Sequence, residues 1–104
     1  MAKLICIYWR DIPAQVVGRA GRKSSFKKEL EPRFAKAIDR AAMRAGRGSS
    51  DAYLEDWRRE SEDLDGDLEA AVNARVIQLE NEFPPDYLER VVKAGGLAEK
   101  GKVE

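Results

Sequence analysis

Six consecutive apolar residues, Leu4-Ile5-Cys6-Ile7-Tyr8-Trp9, stand close to the start of the chain. The run is too short for a membrane span, which needs about 20 apolar residues, or for the apolar core of a secretory leader, about 7–15. Rich in β-branched and aromatic side chains, it reads as a strand buried on both faces and so as the centre of a sheet. The rest of the chain has to be arranged around it. Arg10-Asp11-Ile12-Pro13 favours a turn, and residues 14–18 read as a second strand, antiparallel to the first. Pro13 has no N–H for a ladder, so it fits a strand start or a sheet edge.

Beyond a basic, glycine-containing loop at residues 18–25, the period changes. Phe26, Leu30, Phe34, Ala37, Ile38 and Ala41 recur at spacings of three and four, which predicts a helix with Ser24 or Ser25 as its N-cap. Pro32 inside that stripe either kinks the helix or restarts it. Residues 45–50 end it. Residues 51–59 carry two signals: alternation suits a half-exposed strand, and the four-residue spacing of Tyr53 and Trp57 suits a helix. The aromatics favour the strand. Residues 60–67 read as an acidic loop, with Asp65 or Asp67 capping the next helix. Leu68, Val72, Val76, Leu79 and Phe83 form the clearest stripe in the chain, stopped by Pro84-Pro85. Residues 86–94 read as a last helix, with Leu88, Val91 and Val92 inward and Gly95-Gly96 closing it. The reading is a single domain over residues 1–95 and a loose tail over 96–104. Its fold class is α+β: a small three-stranded, mostly antiparallel sheet with helices on one face, in the order β-β-α-β-α-α.

The inventory excludes several chemistries. The 104 residues include no histidine and one cysteine. Imidazole-based catalysis, histidine metal ligation, an intrachain disulfide and a thiolate zinc site are therefore out of reach. No metal, cofactor or catalytic residue is expected, and a non-enzymatic role is favoured. Cys6 lies in the most apolar run and reads as an inert core thiol. The acidic stretch around Asp65-Gly66-Asp67 lacks the first Asp and the bidentate Glu of a calcium loop. The net charge is zero, yet residues 1–49 hold twelve Lys/Arg against four Asp/Glu, and the remainder holds seven against fifteen. Such a split suits either mutual neutralisation of the halves or docking of a charged partner.

Two groups of residues stand out. Gly18, Arg19, Gly21, Arg22, Lys23, Ser24 and Ser25 combine close backbone approach, positive charge and a helix start, the elements of an anion site. The spacing is not that of a P-loop. Trp9-Arg10 and Trp57-Arg58, with Tyr53, form a second group. Arginine stacks on aromatics and grips carboxylates, and such residues anchor protein interfaces.

The segments Ile7-Tyr8-Trp9-Arg10-Asp11-Ile12-Pro13 with Val16 and Val17, Phe34 onward, and Asp51-Ala52-Tyr53-Leu54-Glu55-Asp56-Trp57-Arg58 together resemble a small bacterial virulence-factor domain family. That family is itself similar to the C-terminal domain of conserved virulence factor C. The resemblance spans roughly residues 3–94 and carries no catalytic or ligand residues with it. In alphaproteobacteria, standalone members look to be encoded beside methyltetrahydrofolate and corrinoid methyl-transfer genes. This implies an accessory role in one-carbon metabolism and an anionic ligand. The expectation is a cytoplasmic interaction or accessory domain that meets a protein partner or a second copy of itself. A small anion-binding subunit is the alternative and a stand-alone enzyme a second one; membrane and nucleic-acid partners are not expected.

Overall fold

The computed structural model describes residues 2–21, 24–46 and 50–97. Strand β1 (Ala2–Trp9) is the centre that its apolar run predicts. It pairs with β2 (Ile12–Ala20) on one side and β4 (Trp57–Leu64) on the other, and β3 (Ser24–Glu29) pairs with the outer edge of β2. The order is β3-β2-β1-β4 and every neighbouring pair is antiparallel. Four helices complete the chain: α1 (Pro32–Arg44), α2 (Ser50–Glu55), α3 (Leu68–Glu82) and α4 (Pro85–Lys93). The class is α+β as expected, with four strands where three were expected.

β1 is not buried on both faces. Leu4 and Cys6 are buried, while Ile5 and Ile7 on the opposite side are half-buried. An antiparallel sheet needs a helical cover on one face only, and here α3 supplies it. Gly18 lets α3 approach: a Cβ there would lie 2.8 Å from Val72 Cγ2 and 2.9 Å from Leu68 Cδ1. The core between the layers gathers Val16, Phe34, Ile38, Val72, Val76, Leu79, Leu88 and Val91, with Phe34 and Phe83 packed edge to face at 6.1 Å.

Three expectations are corrected. Residues 24–29 are the edge strand β3, not the first turns of a helix, so neither Ser24 nor Ser25 is an N-cap. Phe26 and Leu30 are four apart in either conformation, and Pro32 decides between them. It occupies the first turn of α1, where its missing N–H costs nothing, and Glu31 stands at the cap. Leu30 instead donates its N–H to Ala14 at 3.1 Å, extending the contact with β2. Residues 51–59, expected as a strand, are split: 51–55 belong to helix α2 and only 57–59 to a strand, as the start of β4, so Tyr53 and Trp57 lie on different elements. The acidic loop at residues 60–67 is strand as far as Leu64. Carboxylates disfavour strands in general, but these have partners: Asp63 with Lys3 at 2.9 Å, Glu62 with Arg75 at 2.7 Å, and Glu60 with Arg58.

The second half otherwise follows its pattern. The Asp67 carboxylate caps α3 by accepting from the Ala70 N–H at 3.0 Å, and Pro85 opens α4. Gly96, where the tail was expected to begin, is buried against Trp9; residues 98–104 lie outside the described residues. No helix among the described residues is long and apolar enough to cross a membrane.

Candidate functional site

The two Trp-Arg pairs meet because β1 and β4 are neighbours. Trp9 and Trp57 are register partners, as are Tyr8 and Arg58. Trp9 is 0% exposed; its indole N–H donates to the Tyr53 carbonyl at 2.9 Å and its ring stacks on Tyr53 with centroids 5.9 Å apart. Arg10 turns inward, while Arg58 keeps part of its side chain exposed at the edge of the cluster. Arg10 Nε lies 3.1 Å from Asp56, and its Nη1 donates to the Gly95 carbonyl at 3.0 Å. Arg58 Nε donates to the Arg10 carbonyl at 2.8 Å, its Nη2 lies 3.2 Å from Asp11, and its guanidinium sits 4.5 Å over the Tyr8 ring. The backbone closes the same knot: the Arg10 N–H donates to Asp56 and the Asp11 N–H to Gly96, each at 2.9 Å. Thus the β1–β2 turn, the α2–β4 junction and the end of α4 are tied together. The structure brings Trp9, Arg10, Tyr53, Trp57 and Arg58 into one cluster, but Trp9 and Arg10 act in it as internal ties. Tyr53 and Trp57 stay half-exposed, edge to face at 5.8 Å.

The anion group is divided. Gly18 is covered by α3, Gly21 turns the chain at φ +73°, and Ser24 pairs with Ala20 in the ladder. Arg22 and Lys23 lie outside the described residues. The helix start that the argument relied on is absent there, because α1 begins at Pro32. Arg19 and Ser25 remain together as exposed cross-strand partners.

The register reveals a surface that the sequence reading missed. Opposite the helical layer, three cross-strand rows run Ser25-Arg19-Lys3-Asp63, Lys27-Val17-Ile5-Ser61 and Glu29-Gln15-Ile7-Arg59. Val17, Ile5 and Ile7 form its shielded centre, and Lys3, Arg19, Ser25, Lys27, Glu29, Arg59, Ser61 and Asp63 are exposed around it. Lys3 pairs with Asp63. Arg19, Lys27 and Arg59 form no ion pair with any described residue. The alternation Lys3-Ile5-Ile7 against Arg19-Val17-Gln15 was the available signal, hidden by the assumption that β1 is buried on both sides. A depression of about 440 Å³ at the end of this face is lined by Ile7, Gln15, Leu54, Trp57, Arg58 and Arg59. Leu54 is 64% exposed. The half-exposed aromatics therefore adjoin the open sheet face.

A second cleft of about 440 Å³ lies between the start of β2, the end of β3, α1 and α2. Glu29, Asp39, Tyr53 and Trp57 are among its lining residues. Burial raises the pKa of the Tyr53 phenol, the Asp39 carboxylate raises it further, and a hydrogen bond from Trp57 opposes both. Among the described residues no group of three or more His, Cys, Asp or Glu side chains could hold a metal ion. Burial also raises the Cys6 thiol, against a weak contact from Arg75 at 3.5 Å, which disfavours a reactive thiolate.

A family model described as Virulence factor matches residues 7–92. No curated protein and no solved structure matches the chain.

Proposed function

The chain belongs to the virulence factor family, and from that premise we propose that it is a non-catalytic interaction domain docking a protein partner on the open face of its sheet. One observation carries the reading: the cations Arg19, Lys27 and Arg59, without an ion pair among the described residues, surround the apolar centre Ile5, Ile7 and Val17 on a face with no described helix across it. Interfaces combine an apolar centre with a polar rim, and aromatic residues with arginine are enriched at them. Leu54, Trp57 and Arg58 extend the patch at one end. The complementary partner is a polypeptide surface with an apolar middle and acidic margins.

The test is affinity capture with the wild-type chain and with a triple variant, Arg19→Glu, Lys27→Glu and Arg59→Glu. These side chains are exposed and unpaired among the described residues, so the variant is expected to keep its melting temperature. The reading requires a binding protein that the variant loses and that rebinds when both are purified, with affinity falling as salt rises. Recovery of monomer alone at physiological salt, or equal capture by the variant, overturns it.

The pairing of exposed Arg19 with Ser25 favours a second reading, a small-anion accessory subunit, and the family resemblance alone suggests folate- or corrinoid-linked one-carbon chemistry for it. Thermal-shift measurements with inorganic phosphate, nucleotides and folate polyglutamates test it. A stabilisation that disappears in Arg19→Ala supports it, and no shift with any of them overturns it.

A further inference from the structure

We propose that the cleft between the start of β2, the end of β3, α1 and α2 binds an organic cation with an alkylammonium or guanidinium head. Among the described residues, the charges that line it are Glu29, at the end of β3, and Asp39, in the middle of α1, and no described Lys or Arg lines it. Neither carboxylate forms an ion pair with a described residue. Arg33, which follows the lining residue Pro32, is occupied elsewhere, by Glu31 at 2.9 Å, by the Glu80 carbonyl at 3.1 Å and by the Phe83 carbonyl at 2.5 Å.

The rest of the wall explains why the ligand is an organic cation rather than a metal ion. Leu30, Pro32 and Ile38 offer apolar contact, Tyr53 and Trp57 offer aromatic rings, and Gln15 offers an amide. Tryptophan and tyrosine attract weakly hydrated cations through the ring quadrupole. A hard metal ion instead demands several oxygen ligands at short distance, and two carboxylates on separate elements do not supply them. The volume falls within the usual range for small-ligand sites, about 300–1,000 Å³. The charge of Asp39 is felt at the Tyr53 phenol, so the carboxylate and the aromatic wall belong to one electrostatic environment.

The same head group is carried by a free polyamine-like metabolite and by a Lys or Arg side chain. The two tryptophans provide a readout for both, since Trp57 lines the cleft and Trp9 is fully buried outside it. The full chain, labelled with nitrogen-15, is titrated with agmatine, with cadaverine and with a capped Gly-Arg-Gly tripeptide while both indole N–H signals are followed. The proposal predicts a saturable shift of the Trp57 signal that exceeds any shift of Trp9, which reaches the cleft only through Tyr53. It also predicts roughly fivefold weaker binding in Glu29→Gln and in Asp39→Asn, the size expected of one partly exposed ion pair. Saturation by agmatine or cadaverine assigns a free cation; saturation by the tripeptide alone assigns a partner's side chain. No saturable shift with any of the three, or unchanged affinity in both variants, overturns the proposal. Glu29 also stands on the rim of the sheet face, so the two readings are separated by Asp39→Asn, whose residue lies on α1 off that face, and by the triple variant, which leaves both carboxylates intact.

Discussion

At the scale of single residues, Arg10 shows how far a side chain's role can lie from what its neighbours in sequence suggest. Its backbone has φ +53°, a conformation that costs an L-residue about 1–2 kcal/mol, and its side chain offsets this by holding Asp56 and the Gly95 carbonyl. Replacing it separates the two effects. Arg10→Ala should destabilise the fold by about 2 kcal/mol through lost charged hydrogen bonds. Arg10→Gly, which loses the same bonds but relieves the backbone, should cost about 1 kcal/mol less. Urea denaturation of both variants measures the difference, and equal stabilities would refute the strain account. Tyr8 gives a pH prediction. Burial is the main cause that pushes its phenol from 10 up to about 12. The raised value means that the protonated ring is favoured in the folded state. The stabilisation is complete below pH 10, declines as the unfolded chain begins to ionise, and is gone once pH passes about 12. Stability should fall over that window in the wild type and fall less in Tyr8→Phe. The pairing of the two tryptophan-arginine segments was legible in the sequence. Their partners were not, because carbonyls 48 and 85 residues away leave no trace in composition.

At the scale of elements, legibility followed burial. α3 and α4 each bury one stripe, and their stripes, cap and prolines placed them within a residue or so. The Asp67 cap should be worth about 1 kcal/mol, so Asp67→Ala should lower the denaturation midpoint by that equivalent without changing the slope. β3 was missed because it has almost nothing to bury: Phe26 is half-buried and its five neighbours are exposed. A strand of this kind exists through its ladder with β2, which is a property of another segment. Its Lys27 and Lys28 place charge along the sheet edge, which discourages pairing with other chains. The junction at Asp56 was unreadable for a different reason. Helix and strand meet there within a few residues, and a window wide enough to detect a period averages the two.

At the scale of the whole molecule, the opposed charges of the two halves are partly spent on each other. Lys3–Asp63, Arg10–Asp56, Arg40–Glu89 and Arg58–Asp11 each join residues 1–49 to the remainder. β1 also needs β4 from the other half. A chain cut between residues 49 and 50 should therefore give two fragments without stable structure alone that recover the native circular dichroism on mixing. Their association should weaken as salt rises. Independent folding of either fragment would contradict this picture. What survives the neutralisation is local: a cationic sheet face and an anionic cleft that share Gln15 and Trp57 at their border.

The tie between Gly96 and the first hairpin also sets how the domain carries force. Ala2 begins β1, while Gly96 is fastened at its other end, on Trp9 and Asp11. Tension applied through these two points runs along β1, against β2 on one side and β4 on the other, over a strand of about 26 Å. The ladder bonds are then loaded together in shear instead of opening one after another. A domain joined to neighbours through these positions would act as a stiff coupling between them.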